Sequence, residues 1–339
     1  MVAADRSSRA ASGPMPDVGA EQLDAEAVRV RSAVRLPVPG GGETLLRWRE
    51  LAVLGRTDLC LAKVVEPHHD ARAICSDLGH PEPEPATLWQ VWAAEPPGGG
   101  LVATAVGGGW RLDGTKPFCS GAGLATHALV TADNDGRPAL FALDVAAASA
   151  RGQLNFAPPS WVGAGMGRAD TRSAQLNAAP AVPVGGPGDY VDRPGFWHGA
   201  IGVAACWAGG TEGVAATLLA AARRRRLDPH ALAGLGAVTA AVDRVRSVLE
   251  RAAAQIDEAG PGAPVQQARR RAESVRASVV AGAEEVLLRV SHALGPAPLA
   301  LDREHAGRVA DLQVFCRQHH GERDLAALGD LAATGGEHW

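Results

Sequence analysis

The chain has 339 residues, 46% of them hydrophobic, with a formal net charge of −4 and a mean hydropathy of −0.02. That is enough apolar material for two or three packed domains, and the slightly acidic balance excludes the clustered basic face of a nucleic-acid binder. The five cysteines are odd in number, widely spaced and without a CxxC pair, which speaks against a disulfide framework and a zinc site, so no metal is expected.

Residues 1–20 lack the apolar stretch of a secretory signal and read as the flexible tail of a cytoplasmic protein. With one Tyr and five Phe, the core falls to Ala, Val and Leu, with eight Trp as large fillers. Residues 21–35 carry Leu23, Ala27, Val28, Val30 and Val34 among charges, a helical spacing. The run from Pro37 to Gly42 ends that helix. Residues 43–78 then predict one or two helices, broken near Gly55 or Pro67. Residues 21–86 are thus a short helical N-terminal domain, closed by Pro81, Pro83 and Pro85 alternating with Glu82 and Glu84.

From residue 87 to 190 the pattern changes. Short apolar runs at 88–94, 101–106, 128–131, 140–143 and 173–176, separated by Gly, Pro, Asn and Asp, predict a central antiparallel β-domain. Its most informative stretch is residues 110–123, WRLDGTKPFCSGAG, which reads as strand, tight turn at Asp113-Gly114, strand and loop. Gly185-Gly186-Pro187-Gly188 marks the next boundary. Beyond it, residues 191–330 predict a C-terminal four-helix bundle with helices over 196–226, 232–259, 265–294 and 303–328, before a tail at 331–339. Residues 199–222 are apolar enough to suggest a membrane span, but Glu212 would cost roughly 2.5–3.5 kcal/mol there, so a buried bundle helix is expected and no membrane. Arg223 to Arg226 suit a helix C-terminus, where each cation contributes about 0.3–1 kcal/mol.

The stretch 110–123, with its Gly, Leu, Gly, Lys, aromatic, Ser and Gly positions, is similar to the central β-domain of the acyl-CoA dehydrogenase family. The order of helices, strands and helical bundle over about residues 36–330 also resembles that family, with a shortened N-terminal domain. The resemblance implies an α+β fold and FAD as cofactor. It also implies an acyl-CoA or carrier-bound acyl substrate and a homodimer or homotetramer, or a related partner subunit.

Carried over residue by residue, the resemblance implies that Phe118 packs on the flavin and that Ser120 reaches flavin N5, with Cys119 between them facing the core. The other reading of the pair is that Phe118 fills the β-domain core and Ser120 caps a turn. Ala94-Glu95-Pro96 matches the family's strand end against the flavin pyrimidine, with Ala94 in place of a Thr and Gly98 to Gly100 in place of a Ser/Asp loop. Arg224 or Arg225 matches an arginine that crosses to the neighbouring subunit's FAD pyrophosphate, although Leu227-Asp228-Pro229 supplies no accompanying Phe. Gly295 matches the glycine-rich turn over the adenosine.

The reaction of the family needs a glutamate to remove an α-proton, and the position expected for it holds Gln318 or His319. The second position some members use, near residues 196–199, holds no acid either. Glu212 and Glu322 are the substitutes at hand, and an ion pair to a neighbouring helix serves Glu212 equally well. His319 and His320, neighbours on an expected helix and so about 100° apart, cannot both bind one metal. Flavin-dependent monooxygenases with this same fold use polar or histidine residues here to stabilise an oxygenated flavin. His68 and His69 read as structural. Three functions stay open: a flavin-dependent oxidoreductase on an acyl thioester, a reduced-flavin monooxygenase, and a catalytically degenerate subunit of a hetero-oligomer.

Overall fold

The computed structural model describes residues 23–95 and 100–334. Pro96, Gly98 and Gly99 of the expected Glu-Pro and glycine loop lie outside the described residues, as does the tail 1–20. The N-terminal part is α1 (Ala25–Ser32), α2 (Thr44–Thr57) and α3 (Leu59–Asp77). The break between α2 and α3 falls at Asp58, near Gly55 as the first alternative has it and not at Pro67. Asp58 is extended at φ −161°, and its carboxylate caps the amides of Cys60 and Leu61. Pro67 sits inside α3, where its missing N–H removes a single ladder bond. Gly55 has a packing reason: a Cβ there would lie 2.1 Å from the carbonyl oxygen of Cys206 on a crossing helix.

The middle of the chain forms β1 (Trp89–Trp92), β2 (Leu101–Val106), β3 (Gly109–Cys119), β4 (His127–Asn134) and β5 (Arg137–Asp144). A short helix α4 (Val145–Ala150), β6 (Leu154–Phe156) and β7 (Arg172–Pro183) complete it. The strands run in the order β1-β4-β2-β3-β7-β5, and β5 pairs back onto β4, so five strands close on themselves. Two expectations change here. The sheet is not wholly antiparallel, since β1 runs parallel to β4. The tight turn is Gly107-Gly108, both at positive φ, with Val106 opposite Gly109. Asp113 and Gly114 lie inside β3, at a register shift against β7. Gly114 is required there by close approach: at φ +121° its Cβ would stand 2.4 Å from the Gly100 carbonyl oxygen. A glycine in a strand is a mark of such a bulge as much as of a turn.

The C-terminal part is α5 (Pro194–Arg224), α6 (Pro229–Ala259), α7 (Val265–Leu294), α8 (Ala297–Leu301), α9 (Arg303–Phe315) and α10 (Glu322–Thr334). The single helix expected over 303–328 is therefore two. A 3₁₀ turn at Cys316–Gln318, extended His319 (φ −88°, ψ 121°) and Gly321 at φ 56° separate them. The expected tail at 331–339 begins inside α10. Asp228 in Leu227-Asp228-Pro229 caps the amides of His230 and Ala231, so this tripeptide starts α6.

α5 organises the packing. Trp207, Ile201 and Leu218 are fully buried on it, and Trp48 of α2 joins the same core. Its glycines let α2 approach: a Cβ at Gly209 would lie 1.9 Å from the Ala52 carbonyl oxygen. Among the described residues α5 is the one helix long and apolar enough to cross a membrane, and most of that apolar window is buried inside the protein.

Candidate functional site

The ends of β1 and β3 meet where Trp92 Nε1 donates to the Ser120 carbonyl. Lys116 is completely buried between them, its Nζ 2.8 Å from Glu95 Oε1 and 2.6 Å from Thr131 Oγ1, while Thr131 Oγ1 also bonds Glu95. Burial pushes the Lys116 ammonium below its usual pKa, and the Glu95 carboxylate works against that shift. Glu95 is thereby assigned to anchoring the end of β1, with Ala94 exposed beside it.

One residue pair further along β3 comes a bulge between Lys116 and Cys119. It turns Phe118 outward at φ 56° and 67% exposed, which rules out the reading that Phe118 fills the β-domain core. A bulky residue at positive φ is a strained exception, and such strain gathers at functional sites. Cys119 is buried inside the β-domain, as expected. Ser120 is buried too: its carbonyl accepts from Trp92 Nε1 at 3.0 Å, and its hydroxyl lies 2.9 Å from Thr171 Oγ1. The amides of Gly121, Ala122 and Gly123 are taken by Ala169 O, Asp170 O and the Asp170 carboxylate, so the loop after Ser120 is rigidly held.

The loop before β7 meets α9. The Met166 amide donates to Asp311 at 2.5 Å, and Arg168 pairs with Asp58 at 2.7 Å. A Cβ at Gly165 would lie 2.2 Å from Ala310 O. Arg168 and Arg172, the latter bonded to Asp170, are therefore structural. Asp58, Cys60 and Asp311 lie together here, each already bonded within this junction.

α9 leads into the turn at 316–321. There His319 is 4% exposed, with both ring nitrogens lacking a partner among the described residues. Burial depresses its pKa against the opposing pull of Asp324, so the ring is neutral at pH 7. His320 is different: it is exposed, its amide donates to Asp324 and its Nδ1 stands 3.4 Å from the same carboxylate. The chain is extended at this point, so the helical argument about the two rings does not apply, and only His319 faces inward.

The remaining candidates are scattered. Glu212 is tied to Arg246 at 2.7 Å and Arg56 at 3.8 Å, which is the ion-pair reading. Glu322 is exposed in the first turn of α10. Arg224 and Arg225 line a cavity of about 270 Å³ with Leu294, Pro298 and Leu301, next to Gly295 at φ 68°. These three are brought together, at the end of α5 and α7.

Sequence reasoning passed over a polar seam between α3 and α5. Arg47, Lys63, Glu66, Asp70 and Arg193 converge there, beside Tyr190 and Cys206. The signal was present in the acids and bases at helical spacing within 63–70, hidden by an otherwise apolar helix.

No family model matches this chain, and no curated protein matches it. Solved structures do. It is similar to KijD3 in complex with FMN and dTDP-3-amino-2,3,6-trideoxy-4-keto-3-methyl-D-glucose, at 18% identity over 93% of this chain and 84% of that one, with a TM-score of 0.74. TdsC from Paenibacillus sp. A11-2 with FMN and indole aligns at 18% identity, 90% and 94% coverage and a TM-score of 0.72. The methanesulfinate monooxygenase MsuC from Pseudomonas fluorescens aligns at 19% identity, 93% and 90% coverage and a TM-score of 0.73. These proteins belong to one fold family, and the present chain, divergent in sequence, has the acyl-CoA dehydrogenase-like flavoprotein fold.

Proposed function

We propose that the protein is a flavin-dependent oxidoreductase, and within that class a monooxygenase that works with reduced flavin. The observation that carries the choice is His319, a buried neutral imidazole with two free ring nitrogens at the turn where acyl thioester desaturation needs a carboxylate. Residues 316–321 contain none. The likeness to KijD3 and TdsC, both found in complex with FMN, and to the methanesulfinate monooxygenase MsuC supports this reading.

The residues present fit a flavin. Phe118 offers an exposed aromatic face on a rigid strand end, and Ser120 holds a hydroxyl that can donate or accept while Thr171 takes the complementary role. Phe118, Ser120 and the backbone at Ala94 would hold the ring, and Arg224 and Arg225 with Gly295 would meet the phosphate of a flavin from a second subunit in a homodimer or homotetramer. A bound reduced flavin supplies the electrons and the oxygen-reactive centre. The chain's own part is to orient the ring through Phe118, to set the hydrogen bonding of its edge through Ser120, and to present a neutral His319 that accepts or donates one proton.

The test is a titration of the purified chain with FMN and FAD, oxidised and reduced, followed by oxygen uptake with a separate flavin reductase. Reduced flavin should bind more tightly, and His319→Ala should retain flavin while losing coupled oxygenation. Anaerobic bleaching of bound flavin by acyl-CoA would overturn the monooxygenase reading in favour of a dehydrogenase. Failure to bind either flavin would overturn both.

A further inference from the structure

α7 and α9 both pack against α5 and leave a cavity of about 560 Å³ between them. Its walls are aliphatic: Val214 of α5, Leu287 and Val290 of α7, Leu299 of α8, and Val309 and Leu312 of α9. Val214, Val290 and Leu312 are buried to 1% exposure or less and form the floor, while Leu299, 40% exposed, stands at the open side. A largely apolar concavity of about 300–1,000 Å³ with a few polar groups is the usual form of a small-molecule site.

The polar groups on this wall carry no unbalanced charge. His305 is 4% exposed, and its Nδ1 lies 2.9 Å from Thr217 Oγ1. Its Nε2 makes no hydrogen bond among the described residues and is the polar atom that the ring offers to the cavity. Burial lowers the His305 pKa, Asp302 pulls against it and Arg308 adds to it, so the ring is neutral at pH 7. Burial also pushes the Cys316 thiol up to about 12, which keeps it protonated. Glu284 and Arg317, the charged residues of the lining, pair with each other at 2.6 Å. A charged ligand would enter without a counter-charge and lose its hydration. A hydroxyl donates as well as accepts, so it suits either tautomer of His305.

This cavity is separate from the one at Arg224 and Arg225. Thr217 lines that neighbour and His305 lines this one, so the bond between them is the partition. Cys316 and Arg317 begin the turn that ends at His319, and a molecule in the cavity rests against that turn.

We propose that the cavity binds an uncharged molecule of about two or three fused rings that carries a hydroxyl, with the hydroxyl on His305 Nε2 and the rings against Val214, Val290 and Leu312. The inference goes beyond the flavin-dependent reading and needs no flavin. The aliphatic wall supplies most of the affinity, and the hydroxyl supplies the discrimination.

The experiment uses the full chain without flavin and 2-naphthol as the probe, with naphthalene as the counterpart that lacks the hydroxyl and 2-naphthoate as the charged one. Equilibrium dialysis at pH 7 reads the amount bound. Expected are saturable binding of about one 2-naphthol per chain, binding of naphthalene about ten-fold weaker, and no saturable binding of 2-naphthoate. His305→Leu should lower 2-naphthol to the level of naphthalene and leave naphthalene unchanged, a difference that misfolding would not produce. Gln313→Trp, at an exposed position of the lining, should obstruct the entrance and weaken both aromatics about ten-fold or more, with the melting temperature unchanged. Equal binding of 2-naphthol and naphthalene, or 2-naphthol binding unchanged in both variants, would overturn the proposal. So would a chain that binds no 2-naphthol, including one whose cavity a second copy covers, seen as a dimer in sedimentation.

Discussion

Arg276 and Gln318 are joined across the C-terminal helices: Arg276 Nη2 donates to the Gln318 carbonyl at 2.8 Å, while Nη1 of the same guanidinium donates to Ala200 O at 3.1 Å. The plane also lies 4.7 Å from the centre of the Trp207 ring. One α7 side chain thus ties the turn that carries His319 to the first turns of α5. A hydrogen bond from a charged group contributes about 1.5–3 kcal/mol. Arg276→Met should cost at least that much in urea denaturation and should lower the affinity for reduced flavin, while Arg276→Lys, with one compact donor centre, should recover only part.

Phe118 separates stability from binding. It is exposed and held at φ 56°, so its removal gives up little burial and relieves backbone strain of about 1–3 kcal/mol. Phe118→Gly should leave the melting temperature unchanged or raise it, while flavin affinity falls at least about ten-fold. A clear loss of stability in this variant would contradict the description of Phe118 as an exposed binding face.

The pH dependence of stability has two limbs of opposite sign. Burial depresses His68 and His198 to about 4 and His69 to about 3. His68 also accepts from the Trp89 amide through Nδ1, which protonation would forbid. For these rings the unfolded chain binds more protons below about 6.5, so their contribution is complete above that pH and is lost as pH falls toward 4. Glu66, raised to about 8, acts the other way: its native proton favours folding at low pH, and that contribution is lost as pH rises from about 4.5 to 8. Near pH 5.5 the histidines outweigh it, roughly three protons against one, and stability should climb with pH. Between 7 and 8 the three rings have finished titrating, and the Glu66 contribution should make stability dip, against the opposite pull of its buried neighbour Lys63, whose pKa burial depresses. Denaturation midpoints measured from pH 5 to 8.5 check both limbs, and Glu66→Gln should flatten the alkaline one alone.

The α2–α5 crossing should be intolerant at its glycines. Gly55→Ala or Gly209→Ala places a methyl within 2.1 Å or 1.9 Å of a backbone oxygen on the facing helix. Backbone cannot yield as a side-chain tip can, so a loss above about 3 kcal/mol is expected. Gly236, in the third turn of α6, has nothing within 4 Å of its Cβ position, and Gly236→Ala should stabilise by about 0.5–1 kcal/mol. Thermal melts of the three variants set the two outcomes side by side.

Residues 110–123 illustrate how far the sequence could be read. The alternation and the Lys-Pro-Phe-Cys-Ser run announced a strand end but left Phe118 open between the core and an outward position, which the structure decides in favour of exposure, while Cys119 faces the core. The turn was misplaced because Asp-Gly and Gly-Gly dipeptides carry the same local signal. Only strand pairing decides between them: Val106 meets Gly109, leaving Gly114 to admit the Gly100 carbonyl. In the same way, α5, α6 and α7 were legible from apolar spacing and from the Pro and Gly that bound them, whereas the break before α10 was not.

By itself the sequence determined the order of helices, strands and helices, the long Ala-rich helices, and the absence of a carboxylate at residues 316–321. Those are matters of local propensity, periodicity and composition, which travel with the chain. The tertiary structure alone decided that His319 is buried and His320 exposed, that Glu212 is held by Arg246 and Arg56, and that Glu66 and Asp70 face the glycines of α5 with Arg47, Lys63 and Arg193 nearby. Each of these depends on what a distant segment places opposite a side chain, and burial and charge pairing exist only once the segments have met.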